Sequence, residues 1–255
     1  MPPTSSAARV AERVASPAFR PTYPRSFRLE RAIRPRERRA FDGTQQRLRR
    51  ALNVAAAAVG LVLALPLMLV IALAIKLTSP GPVLFAQQRV GVDRRNLHLP
   101  SGNWRRHVNH GGRLFTLYKF RTMVADADRL GQVWATPDDP RVTRVGAVLR
   151  KYRLDELPQL WNVIRGDMNL VGPRPEQPEI FKNLRDQLHH YPLRQRTLPG
   201  ITGRAQVHHH YDRSIEDVQI KLRHDLEYLE RQSVAEDLAI MLKTVPAVLT
   251  KKGAW

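Results

Sequence analysis

The sequence predicts an α/β domain, mostly helical with a small strand component, carried on a helix that sits in lipid. Three observations lead there. Leu52 to Ile75 is an uncharged apolar run; two short stretches of strand character follow it; and beyond Pro140 apolar residues recur at spacings of three and four. With 255 residues there is room for one well-packed domain plus extensions.

The first 46 residues read as a disordered basic arm. Residues 1–50 hold thirteen arginines against four acids, with Pro and Ser scattered through and no sustained apolar period. An export signal is not expected, because the apolar run that follows is too long and ends in no small-residue cleavage site. That run has 24 residues, which as a helix reach about 36 Å, enough for a bilayer core. Pro66 near its middle removes a backbone hydrogen bond and bends it. Basic residues flank it on both sides: Arg47, Arg49 and Arg50 before, Lys76, Arg89, Arg94 and Arg95 after. A simple span should show charge asymmetry, so matching flanks favour a helix over 47–78 that dips in, bends and leaves by the same face. An ordinary kinked span is the alternative that these features leave open.

From residue 79 to 255 the chain has soluble character. Strands are expected over 82–91 and 113–123, separated by a polar, glycine-containing loop. Val142, Val145, Val148, Leu149, Leu154, Leu157, Leu160, Trp161 and Ile164 predict helices interrupted near Arg153 and Pro158. Further helices are expected at 177–190 and 214–231. The last begins at Ser233, which has capping-box spacing to Glu236. Its apolar face (Leu238, Met241, Leu242, Val245, Val248, Leu249) is flanked by Lys243, Lys251 and Lys252, the pattern of a helix lying on a membrane surface.

The formal net charge of +19 suits nucleic acid, an anionic membrane surface or phosphorylated small molecules. Nucleic acid is not expected: there is no helix-turn-helix, RNP or zinc pattern, and aromatics are not interleaved with the basic residues. The chain has no cysteine, which excludes disulfides, thiolate catalysis and Cys-based zinc sites. His208, His209 and His210 are consecutive and splay apart, so they are not expected to share a metal.

The candidate chemistry centres on Asp155 and Glu156, adjacent acids between leucines in a basic chain. With Asp155 as N-cap and Glu156 as first helical residue, Pro158 falls in the first turn, where its missing N–H costs little. Both acids then lie at the positive end of a helix dipole and stay ionised. Adjacent helical residues do not face each other, so two separate roles fit better than a shared bond: one carboxylate attacking phosphorus, the other holding a divalent cation such as Mg²⁺. A plain cap with a solvated neighbour is the alternative for such a pair in isolation. Lys119, Arg121, Arg150 and Arg153 supply phosphate-binding cations, and Gly172-Pro173-Arg174-Pro175 is a stiff turn presenting Arg174.

Taken in order, "YKFRTM" (118–123), "RVTRVGAVLRKYRLDELPQLWNVIRGDMNLVGPRP" (141–175) and "LPGITGRAQV" (198–207) resemble the bacterial sugar transferases, the monotopic phosphoglycosyl transferases, from about residue 47 to the C-terminus. The resemblance implies a compact catalytic domain on the cytoplasmic face of the inner membrane, held by a re-entrant helix and interfacial amphipathic helices. It implies transfer of a phospho-sugar from a UDP-sugar to undecaprenyl or another polyprenyl phosphate with release of UMP. That is the initiating step of exopolysaccharide, capsule, O-antigen or related glycan synthesis, and membrane lipid is the surrounding partner. It assigns Asp155 as nucleophile and Glu156 as Mg²⁺ ligand, and places Lys119, Arg121, Arg150, Pro173, Arg174 and Pro175 at the substrate. A homo-oligomer is compatible with it. Non-catalytic readings, a membrane-tethered scaffold or a nucleic-acid-binding protein, are the alternatives. The chain departs from the family pattern at Leu65-Pro66, where Ser-Pro is common, at Asn53, where Asp is common, and over 93–112, a longer loop than usual.

Overall fold

The computed structural model describes residues 43–93, 111–125, 127, 139–188, 190–208 and 214–249. The basic arm up to residue 42, most of the 93–112 loop and most of 126–138 lie outside the described residues. The chain opens with helix α1 (Gly43–Thr78), which contains Pro66 and is longer than its apolar run. Then come β1 (Leu84–Val90), β2 (Leu114–Phe120), α2 (Arg144–Lys151), a 3₁₀ turn Leu154–Glu156, α3 (Gln159–Arg165), β3 (Asn169–Val171) and α4 (Pro178–Gln187). A second 3₁₀ turn Tyr191–Arg196, β4 (Gly200–Thr202), α5 (Arg204–His208), α6 (Ile215–Arg231) and α7 (Val234–Leu249) complete it. The two expected strands and the helices expected within 140–164, at 177–190, at 214–231 and from Ser233 are present in that order, and β3, β4 and α5 are additions to them.

β1 and β2 form an antiparallel pair in which Phe85 faces Lys119 and Arg89 faces Phe115, so Phe85, Gln87, Arg89, Phe115, Leu117 and Lys119 share one face. β3 and β4 form a short parallel pair. α6 starts on a complete capping box, Ser214 with Asp217, each side chain bonded to the other's backbone N–H. α7 keeps half of its expected box: Ser233 Oγ accepts from the Glu236 N–H, while the Glu236 carboxylate pairs with Arg204 at 3.0 Å.

α1 is the apolar helix that the sequence requires, and most of it has no protein partner. Val62, Leu63, Leu69, Val70 and Leu73 are each at least 60% exposed, a surface that water would not tolerate as one patch. Both ends are nevertheless seated on the same domain. Ala57 packs with Phe115, Leu117, Val163 and Met168, whereas Ile71 and Ile75 pack with Phe120 and Leu149. Near the N-terminal end, Arg49 Nη2 pairs with Asp237 at 2.7 Å and donates to the Tyr228 hydroxyl at 3.0 Å. Asn53 Oδ1 accepts from the Leu170 N–H at 2.6 Å. The departure at Asn53 therefore leaves a neutral hydrogen bond in place of a charge, and the ionic tether is supplied by Arg49 and Asp237.

α7 turns Leu238, Leu242 and Val245 outward, all more than half exposed, while Ile240 is buried with Val171 and Tyr228. Both Arg49 and Asp237 are over nine-tenths buried, so Asp237→Ala strands a guanidinium away from water. That variant should lose about 3 kcal/mol of stability, and Tyr228→Phe about 1 kcal/mol, in thermal unfolding of the detergent-solubilised protein.

Candidate active site around Asp155 and Glu156

The acid pair does not begin a helix. Arg153 adopts φ 54°, ψ 24°, left-handed for a non-glycine residue, and opens the 3₁₀ turn that contains both acids. Pro158, lacking an N–H, cannot continue an i→i−4 ladder, so the segment runs on i→i+3 bonds. Glu156 N–H donates to the Arg153 carbonyl at 3.2 Å, and Leu157 N–H to the Leu154 carbonyl at 3.3 Å. Pro158 is then the N-cap of α3. The expected Asp155 cap is corrected accordingly.

Both carboxylates are buried, Asp155 8% and Glu156 7% exposed, and their partners differ. Arg174 Nη2 donates to Glu156 Oε1 at 2.8 Å. Lys119 Nζ stands 3.6 Å from that oxygen and 3.9 Å from Asp155 Oδ2, and Arg153 Nη1 is 4.0 Å from Glu156 Oε1. Burial works against the Glu156 charge, but Arg174 and Lys119 override it and hold its pKa well below the usual carboxylate range. Burial and the neighbouring Glu156 charge push Asp155 upward, opposed only in part by Lys119, Arg174 and Arg150. Two adjacent acids expected to be equally ionised are therefore driven apart by their surroundings. Burial also lowers Lys119, with Glu156 pulling it back.

The other expected residues are distributed around this pair. Arg150 Nε donates to Thr122 Oγ1 at 2.9 Å and feels the Asp155 charge. Pro173, Arg174 and Pro175 form the loop that delivers Arg174; the backbone from Leu198 to Gly200, leading into β4, leaves no room for a Cβ at Gly172. Arg121 is not brought to the acids. Its Nη2 donates to the Ser79 carbonyl at 2.9 Å and its Nη1 to the Pro80 carbonyl, closing the C-terminal end of α1. Gly81, at φ 111°, makes room for that guanidinium, which a Cβ would overlap. β2 ends at Phe120, so Lys119 and Arg121 do not continue on one strand face. Pro66 lies in α1, away from this cluster.

Sequence reasoning passed over Arg89, taken only as a flank of the apolar run. It lies on the Lys119 face of the sheet, donates to the Pro175 carbonyl at 3.1 Å, and is pushed down to about 10, burial outweighing the pull of Glu176. Its period-two relation to Phe85 and Gln87 was the available signal. Beside Glu156 a cavity of about 280 Å³ opens between the 3₁₀ turn, β4, α5 and α7, its walls mostly aliphatic (Leu154, Leu157, Leu160, Ile201, Val207).

Among the described residues no three His, Asp or Glu side chains converge to cage a metal. Asp155 and Glu156 are hard oxygen donors, and Mg²⁺ is commonly held by one or two carboxylates with phosphate oxygens completing its shell. The pair fits that mode. The cations around it favour an ion that arrives with phosphates over one bound alone.

Behind Arg150, Asp139 accepts Arg141 Nη2 at 2.6 Å, and the Arg141 side chain and N–H draw its pKa down to about 2. A depressed carboxylate contributes stability that is present above its unfolded pKa of about 4 and lost as pH falls through the folded value. Unfolding by denaturant should therefore show the stability gap between wild type and Arg141→Met closing between about pH 4 and pH 2.

Residues 44–251 match the family model described as bacterial sugar transferase. A UDP-N-acetylgalactosamine-undecaprenyl-phosphate N-acetylgalactosaminephosphotransferase of Aeromonas hydrophila is 42% identical over 207 residues, 81% of this chain and 45% of that protein. A UDP-glucose:undecaprenyl-phosphate glucose-1-phosphate transferase of Caulobacter vibrioides is 40% identical over 209 residues, 81% of this chain and 72% of that protein. The exopolysaccharide production protein ExoY of Sinorhizobium fredii is 35% identical over 222 residues, covering 81% and 88%. The chain thus spans less than half of the Aeromonas relative and most of the other two. With the family model covering most of its length, the chain belongs to the bacterial sugar transferase family.

Proposed function

We propose that this chain transfers a phospho-sugar from a UDP-sugar to a polyprenyl phosphate, releasing UMP, as the initiating membrane step of an exopolysaccharide, capsule, O-antigen or related glycan. The observation that carries this reading is the split acid pair: two neighbouring buried carboxylates, one clamped as an anion by Arg174, the other raised in pKa by burial beside Lys119. The relatives named for undecaprenyl-phosphate transfer support the substrate class.

In this mechanism the ionised Asp155 carboxylate attacks the sugar-bearing phosphorus. The bond from that phosphorus to the bridging oxygen breaks, its electron pair leaves with UMP, and an aspartyl phospho-sugar remains. An oxygen of the polyprenyl phosphate then attacks the same phosphorus and frees the carboxylate. Lys119, Arg150 and Arg174 balance the charge that gathers on the phosphate oxygens, the main contribution a protein makes to phosphoryl transfer. Glu156, with Asp155 beside it, would hold Mg²⁺, which supplies further charge neutralisation when bound. The aliphatic cavity beside Glu156 suits the prenyl end of the acceptor.

α1 is read as re-entrant. Its two ends rest on one domain through Arg49, Asn53 and Ala57 at one end and Ile71, Ile75 and Ser79 at the other, and both flanks are basic. That arrangement supports both ends lying on one face, and the basic flanks favour the cytoplasmic one, with residues 1–46 as a basic arm and 79–255 as the catalytic domain.

Purified protein with Mg²⁺, undecaprenyl phosphate and a panel of UDP-sugars should release UMP from at least one donor. Asp155→Asn should lower the rate about 10³-fold or more, and Glu156→Gln about 10²-fold. An Asp155→Asn enzyme within threefold of wild type would sink the mechanism. Because attack needs the Asp155 anion and burial raises its pKa, kcat/KM should climb with pH through a value above the ordinary aspartate range. Since the chain has no cysteine, single cysteines at Gln46 and Ala86 can be labelled from one side of sealed vesicles. Both should react from the same side; labelling from opposite sides would make α1 a span.

A further inference from the structure

The loop that carries Arg174 has a fastening that the reaction itself does not account for. Pro173 and Pro175 have no N–H, so between Gly172 and Glu176 the chain is fixed mainly through its carbonyls. Four in succession are held. Gly200 N–H donates to Pro173 at 3.0 Å, and Val90 N–H to Glu176 at 2.9 Å. Between them the donors are side chains: Arg194 Nη2 to the Arg174 carbonyl at 3.0 Å and Arg89 Nη1 to the Pro175 carbonyl at 3.1 Å.

Arg194 lies in the Tyr191–Arg196 turn and its side chain has no exposure at all. Burying a guanidinium this completely is costly unless its donors are matched. Here Nε and Nη2 meet Asp225 Oδ2 at 2.9 and 2.7 Å, and Nη1 meets Glu176 Oε1 at 3.2 Å, where Lys221 also donates at 2.9 Å. The cluster ties α6, the 3₁₀ turn and the residue that ends the loop into one unit. Hydrophobic packing of Tyr191, Leu222 and Leu226 already joins those elements. What the arginines add is the fixing of two successive backbone oxygens, those of the peptides that precede and follow Pro175.

We infer that Arg89 and Arg194 are positioning residues, which hold Arg174 at the reach and angle from which its guanidinium meets Glu156. The inference rests on the roles proposed above for Arg174 and Glu156. A displacement of about 1 Å at a charge-stabilising group can cost on the order of 10²-fold in rate, so the loop has to be fixed more tightly than prolines alone would fix it.

The test compares wild type with Arg89→Met, Arg89→Lys and Arg194→Lys. Lysine at 194 keeps a charge for Glu176 and Asp225 but cannot also span to the Arg174 carbonyl. With whichever donor of a UDP-glucose, UDP-galactose and UDP-N-acetylhexosamine panel the wild type uses, kcat for UMP release should fall about tenfold or more in Arg89→Met and Arg194→Lys. Donor KM should change less than threefold, and Arg89→Lys should recover most of the rate. Amide hydrogen exchange gives a readout that needs no substrate. The Val90 and Gly200 amides, which donate to the loop, should exchange at least tenfold faster in the two impaired variants, with α4 and α6 unchanged. Wild-type exchange at both amides, or equal acceleration throughout α4 and α6, would overturn the inference, the latter by making the cluster a feature of general stability. A wild type that releases no UMP from any donor would fail the transferase reading, while the exchange comparison would still decide this one.

Discussion

The contact between Arg174 and Glu156 joins segments eighteen residues apart, and the electrostatics of the whole site follow from it. A carboxylate with so little exposure would ordinarily take up a proton. Arg174 keeps Glu156 charged, and that fixed charge, acting on its neighbour in a poorly solvated space, is one of the two forces that raise Asp155. Lys119 stands near both acids and moderates the difference. Arg174 is the closest cation to either acid, and it separates the two by lowering the pKa of Glu156, whose charge in turn raises that of Asp155.

The protein holds this geometry with backbone constraints of several kinds. A left-handed Arg153 turns the chain so that a 3₁₀ segment, not a helix, presents the acids. Two prolines stiffen the facing loop. Behind that loop, buried charge is spent on hydrogen bonds to carbonyls, which side-chain packing cannot orient because dispersion has no direction. The site is thus assembled where a strand pair, a 3₁₀ turn and a proline loop meet, close to the end of α1 packed on Phe120 and Leu149.

Much of this was legible in the sequence, for local reasons. An uncharged run of 24 residues is long enough as a helix to match a bilayer core, and periods of two and three to four announce strands and helices through the burial they require. Asp155, Glu156 and Arg174 stood out because adjacent acids between leucines and an arginine between prolines are chemically pointed patterns. Capping at Ser233 was equally local, needing a hydroxyl and an amide three residues on.

Tertiary structure decided the rest, because it turns on contacts that no local pattern encodes. Arg121 and Lys119 are two residues apart, yet one closes the end of α1 and the other faces the acids, since β2 stops between them. Arg49 and Asp237 are 188 residues apart, and their pairing supplies the ion pair that Asn53 cannot. The divergence of the two acids could not be read from their order, because burial and the approach of Arg174 shift a pKa through space. Sequence determined which chemical groups this protein owns and that one helix is long and apolar enough to cross a membrane. Folding decided which cation neutralises which anion, since electrostatic energy inside a protein depends on distance and solvation, and only the packed chain fixes either.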